Sequence, residues 1–133
     1  MNSKVILIVV FFLGIALQAA AQEPQVPIMS FNSRTYEFGD VVEGMKVKHV
    51  FKFKNTGSAP LLLNNVLVTC GCTAAKWPQS PVEPGDSGQI EIVFDSKGRL
   101  GRQHKVITVL SNAENNPEKL KITLTVVKKE DKK

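Results

Sequence analysis

The stretch Met45-Lys46-Val47-Lys48-His49-Val50-Phe51-Lys52-Phe53-Lys54 alternates apolar and basic side chains at a period of two. Successive side chains on a strand point to opposite faces, so Met45, Val47, His49, Phe51 and Phe53 make one dry face. Lys46, Lys48, Lys52 and Lys54, with Val50, make the wet one. The segment predicts a β-strand with one side on a core and the other in water. The same alternation recurs in Ile90-Glu91-Ile92-Val93-Phe94 and in Leu120-Lys121-Ile122-Thr123-Leu124-Thr125-Val126. Val106-Ile107-Thr108-Val109-Leu110 is apolar on both faces, as expected of a central strand. Beyond residue 22, no stretch holds apolar residues at i, i+3, i+4 and i+7 long enough to argue a helix.

Turn chemistry cuts these runs at short intervals. Phe38-Gly39-Asp40, Asn55-Thr56-Gly57, Pro84-Gly85-Asp86, Lys97-Gly98 and Asn115-Asn116-Pro117 are the breaks. They leave about seven strands, at 28–31, 35–38, 45–54, 61–69, 87–94, 103–111 and 119–127, with a weaker candidate near 73–77. That many short strands in about 100 residues predicts an all-β, immunoglobulin-like sandwich with Greek-key pairing. No cysteines are far enough apart in sequence to bridge two sheets, so the seam must be apolar. Its expected members are Phe38, Val47, Phe51, Phe53, Leu61, Leu63, Val68, Ile90, Ile92, Phe94, Val106, Leu110, Ile122 and Leu124. Each is worth roughly 1.5–3 kcal/mol if fully buried. Trp77, the lone tryptophan, stands among Pro78, Pro81 and Pro84, and is expected at the rim of the core.

The first residues have the three-part form of a secretory signal. Lys4 supplies the positive charge, residues 5–17 an apolar run, and Ala19-Ala20-Ala21 a small-residue cleavage site. The run is shorter than the ~20 residues that span a bilayer. Cleavage after Ala21 makes residues 1–21 a signal peptide, 22–127 one sandwich domain, and 128–133 a charged, disordered tail. The expected location is therefore the periplasm or the cell exterior, with no membrane span after cleavage. The chain of 133 residues carries a formal charge of +5. Its lysines alternate along strands and do not cluster with aromatics, which argues for a solubilising surface and against a nucleic-acid partner.

Several motifs, taken in order, resemble one exported bacterial family. Phe38-Gly39 with Val41 and Gly44, Phe51-Lys52-Phe53-Lys54-Asn55-Thr56-Gly57 with Pro60-Leu61, and Cys70-Gly71-Cys72-Thr73 come first. Pro84-Gly85 with Gly88-Gln89-Ile90, Phe94-Asp95, and residues 105–112 complete the set. They look like the family known as domain of unknown function fifteen seventy-three, frequent in Bacteroidota-type bacteria. That family is similar to the Ig-like domains of Hydin and major sperm protein, and more remotely to pilus chaperones. The resemblance implies a fold and an exported location, and no activity.

Cys70 and Cys72 are the only cysteines. Extended residues i and i+2 have Cα atoms about 6.5–7 Å apart, at the limit for a disulfide, so bridging them needs a bend at Gly71. As a staple the bridge is weak, since closing three residues contributes only ~1.5 kcal/mol in the chain-entropy account. Three readings stay open: a structural pair (buried thiols or a local disulfide), a redox pair, and a soft-metal site for Cu(I). The only histidines, His49 and His104, lie far from the cysteines in sequence.

No G-x-S-x-G, P-loop or H-E-x-x-H is present, and no carboxylate pair has a working spacing. The expectation is a non-enzyme without a cofactor, acting as an interaction or structural module on another exported or cell-envelope protein. The alternative is a periplasmic thiol/disulfide or Cu(I) protein using Cys70 and Cys72. Candidate interaction residues are Asn55, Thr56, Gly57 and Trp77, with Lys97, Arg99 and Arg102 forming a cationic loop.

Overall fold

The computed structural model describes residues 2–18 and 22–130. An apolar helix, α1 (Ser3–Gln18), precedes eight strands: β1 (Met29–Phe31), β2 (Thr35–Val42), β3 (Lys46–Asn55), β4 (Leu63–Val68), β5 (Thr73–Lys76), β6 (Ser87–Asp95), β7 (Gly101–Ser111) and β8 (Glu118–Val127). The strands form two four-stranded sheets in the orders β1-β3-β6-β5 and β2-β8-β7-β4. The chain is an immunoglobulin-like β-sandwich. All pairings of these strands are antiparallel except that of β2 with β8, which is parallel. The weak candidate near 73–77 is a true strand, β5, which brings the count from about seven to eight.

The β3 alternation holds. Phe51 and Phe53 are buried, opposite Ile90 and Gly88 of β6, while Lys46, Lys48, Lys52 and Lys54 are exposed. The second layer contributes Val66, Ile107, Val109, Leu120, Ile122, Leu124 and Val126. Here the expected core needs correction. On β7 the buried apolar residues are Ile107 and Val109, while Val106 is exposed and Leu110 only half-buried. A strand apolar on both faces gives no phase, and the outer face of this sheet is uncovered. On β4 the register shifts between Leu63 and Asn65, so Val66 takes the buried place. Val68, at the strand's end, is 36% exposed. Phe38 and Val47 pack against the core from partly buried positions, and Met45 lies exposed in the turn before β3.

Among the described residues, α1 contacts no strand, and Val5 to Phe11 are all exposed. No helix among them is long and apolar enough to cross a membrane. The expected cleavage site, Ala19-Ala20-Ala21, and the tail beyond residue 130 lie outside the described residues.

Candidate functional site: the Cys-Gly-Cys turn

Between β4 and β5 the chain crosses from one sheet to the other through Cys70-Gly71-Cys72. The Thr73 N–H donates to Cys70 O at 3.3 Å, closing a turn that brings the two cysteine Cα atoms to 5.3 Å. That spacing lies inside the range for a disulfide, and the two sulfurs are bonded. Gly71 has no left-handed φ, and a Cβ there would meet nothing. The bend is therefore made without the conformational freedom expected of glycine. Cys72 is 7% exposed, whereas Cys70 is only half-buried. The buried hydroxyl of Thr73 lies 3.6 Å from Cys72 Sγ and 3.8 Å from Cys70 Sγ.

Pairing of β5 with β6 carries this turn to the end of β6. Thr73 stands opposite Phe94, and the Asp95 N–H donates to Cys72 O at 2.8 Å. The loop after β6 is held down by Ser96, whose buried hydroxyl donates to Met45 O at 2.6 Å. Its Gly98 N–H donates to Glu43 Oε1 at 3.2 Å. As a result Lys97 and Arg99 share a shallow depression of about 190 Å³ with Gly71, Cys72 and Asp95. On the other side of Asp95, Lys46 joins Gly71, Cys72, Ala74 and Val93 around a second depression of about 170 Å³. Three cations thus face one carboxylate beside the disulfide, and the Lys97 N–H already occupies Asp95 Oδ1 at 3.0 Å.

Residues 29–126 match the family described as protein of unknown function DUF1573. The chain belongs to this family. No curated protein matches it. Among solved structures, a protein of unknown function from Porphyromonas gingivalis W83 is similar at TM-score 0.67 and 19% identity, over 81% of this chain and 50% of that one. The present chain thus spans about half the length of that protein. The ASH/PapD-like domain 7 of human CEP192 is similar at TM-score 0.62 and 12% identity, over 84% and 93% of the two chains. The secreted serine protease VesC from Vibrio cholerae is similar at 0.58 and 17%, over 74% of this chain and 23% of the protease. At these identities the likenesses establish the sandwich fold alone.

Within this DUF1573 chain, the other residues singled out from sequence lie elsewhere and do different things. Asn55 is fully buried at the opposite end of β3 from Lys46. Its amide nitrogen donates to Ala59 O and Val82 O, and its Oδ1 accepts from the Ile28 and Gly57 N–H groups. It has no polar atom left for a partner, which removes it from the interaction residues. Gly57 is packed under the backbone of Val26, Pro27 and Ile28, whereas Thr56 stays exposed. Trp77 packs against the core from a partly buried position. Arg102 lies on β7, not in the loop, and its guanidinium is bidentate on Glu37, at 2.6 and 3.0 Å. That contact, with hydrogen bonds from Thr123 and Gly39, lowers the Glu37 carboxyl to about 2. Arg102 is therefore not part of the cationic rim.

Neither histidine adjoins the sulfurs. His49 stacks on Tyr36 with ring centroids 3.7 Å apart and meets Phe51 edge-on, and burial lowers its pKa. His104 stands opposite Thr123 on the outer face of its sheet. Among the described residues, no group of three or more His, Cys, Asp or Glu is placed to hold a metal. Sequence reading passed over Lys46, Asp95 and the Thr73 hydroxyl as parts of the site. The C-G-C-T motif already contained Thr73, and the closeness of the other two follows only from the β5–β6 and β3–β6 registers.

Proposed function

We propose that this chain is an exported, non-catalytic Ig-like module that binds an extended segment of another exported or cell-envelope protein along the free edge of β4. The observation that carries this reading is the state of that edge. Leu67 on the outer side is 46% exposed, and Val68, in the inward register, is 36% exposed because no described strand lies beyond it. The Val66 N–H donates to Oδ1 of its neighbour Asn65 at 2.9 Å. Extended chains add to such edges through backbone hydrogen bonds, and the apolar groups on either side supply selectivity.

The other edges are less open. β1 and β5 are three and four residues long, and β2 is interrupted by a bulge between Glu37 and Asp40. Export is supported by Lys4 ahead of an apolar helix that touches no strand, and by a disulfide, which persists in oxidising compartments.

The test pairs crosslinking in the native cell envelope with two edge variants, Leu67→Lys and Val68→Lys. A repeated partner crosslinked to residues 65–68, and lost in both folded variants, is the expected result. Capture that is unchanged by either lysine overturns the reading, because charge on an edge blocks strand addition.

A further inference from the structure

We propose that Cys70–Cys72 is a thiol–disulfide exchange site, reduced by a dithiol protein that attacks Cys70 Sγ and expels Cys72 as a thiolate. Three independent features of the turn point there. The first is how little the bond does for the fold. It closes three residues, worth only ~1.5 kcal/mol, at the edge of a sandwich whose seam is apolar.

The second is the asymmetry of the two sulfurs. Cys70 is half-buried, the more accessible of the two residues, while Cys72 is nearly covered. Gly71 lies on both depressions that border Cys72, and neither its φ nor crowding requires a glycine there. A side chain at this position would narrow both depressions beside the leaving sulfur.

The third is what surrounds the leaving sulfur. The Thr73 hydroxyl is closer to Cys72 Sγ than to Cys70 Sγ, and these sulfurs are its only hydrogen-bond partners among the described residues. It can donate to a thiolate. Lys97 and Arg99 line the depression on one side of Cys72 and Lys46 lines that on the other, three cations against the carboxylate of Asp95 in the lining and that of Glu43 on the Gly98 N–H of the same loop. Cations and hydroxyl donors lower a thiol pKa, and a leaving thiol of lower pKa departs faster. They also stabilise the reduced state, which makes the disulfide the more oxidising.

In the exchange, a thiolate of the dithiol protein bonds to Cys70 Sγ, the Cys70–Cys72 bond breaks, and its electron pair leaves on Cys72 Sγ. The second thiol of the dithiol protein, once deprotonated, attacks its own sulfur in the mixed disulfide and releases Cys70. Two electrons and two protons pass to this chain, and the partner dithiol becomes a disulfide.

The experiment equilibrates the full chain with glutathione redox buffers, quenches in acid, and reads thiols by alkylation and intact mass. Circular dichroism follows the fold in parallel. A millimolar excess of reduced glutathione is expected to open the bond with the sandwich intact, and early quenching to find glutathione on Cys70. Thr73→Val should move the equilibrium constant about fivefold toward the disulfide, the worth of one hydrogen bond, while Thr73→Ser keeps the original value. Lys97→Gln with Arg99→Gln, both exposed, should move it in the same direction by severalfold.

A bond that resists glutathione in the folded protein overturns the proposal, as does glutathione found first on Cys72. Equal shifts in Thr73→Val and Thr73→Ser remove the hydroxyl from it. Should Thr73→Val fail to fold, an unmoved equilibrium in the Lys97/Arg99 variant overturns it instead.

Discussion

Asn55 shows how much a single buried amide can organise. It satisfies two carbonyls and two N–H groups from three separate segments: its own turn, the approach to β1, and Val82. Asn55→Ala takes this partner from the Ala59 carbonyl and from the Ile28 and Gly57 N–H groups in partly buried positions, while Val82 O keeps only the Leu61 N–H. The expected cost is about 2–4 kcal/mol, read as a lower urea midpoint at unchanged slope. A loss below about 0.5 kcal/mol would mean that the turn rearranges to pair these groups elsewhere. Glu37 is the opposite case, an exposed group whose pairing shows in its titration. Its carboxyl is held at about 2 by Arg102 first and Thr123 second, against an ordinary ~4.3. The folded value is depressed, so the contribution is present above about pH 5 and fades as pH falls toward 2. Arg102→Met is expected to return the Glu37 titration toward the ordinary range, as followed by carboxyl-carbon NMR. The stability change should be small, because solvent screens the pair.

At the scale of elements, the turn after β3 depends on close backbone approach. A Cβ on Gly57 would overlap the backbone of Val26, Pro27 and Ile28. These residues hold the turn through Thr56 N–H to Ile28 O at 3.0 Å and Ser58 N–H to Val26 O at 2.8 Å. Gly57→Ala is therefore expected to lift residues 26–28 off the turn at a cost of roughly 1–3 kcal/mol. In hydrogen exchange, the amides of Thr56 and Ser58 should lose protection while those of β7 and β8 keep theirs. Uniform loss across both sheets would instead mean that the turn is inseparable from the global fold.

The same scale explains what could be read from the chain and what could not. β3 was legible because lysines mark its wet face unambiguously. β7 was legible as a strand but not in its phase, since Val106 and Leu110 are as apolar as Ile107 and Val109. The bulge in β4 carries no sequence mark, and it alone decides that Val66 is inside and Leu67 out. β5, four residues with two alanines, is a strand because β6 offers it an edge. At the site, the cysteines announce themselves. Their cationic neighbours come from β3 and the β6–β7 loop, and only the pairing of strands distant in sequence brings these to Cys72.

For the molecule as a whole, the decisive question is what keeps the two layers together. Phe51, Phe53, Ile90, Ile92 and Phe94 of one sheet face Ile107, Val109, Leu120, Ile122 and Leu124 of the other, all of them fully or almost fully buried. At roughly 1.5–3 kcal/mol for each side chain, this seam outweighs by many fold the ~1.5 kcal/mol available from a three-residue covalent loop. The Cys70→Ala/Cys72→Ala double variant is therefore expected to remain a cooperatively folded sandwich with its β-sheet circular dichroism unchanged. Its unfolding free energy should fall by about 1–2 kcal/mol, since Cys72 also gives up a small buried side chain. The contrasting variant is Ile122→Ala, in the centre of the seam, where nothing can move in to fill the space a buried isoleucine leaves. That change is expected to cost about 2–5 kcal/mol with both cysteines in place. Unfolding of the double variant, beside mild behaviour of Ile122→Ala, would reverse the order of importance and make the turn the keystone of the fold.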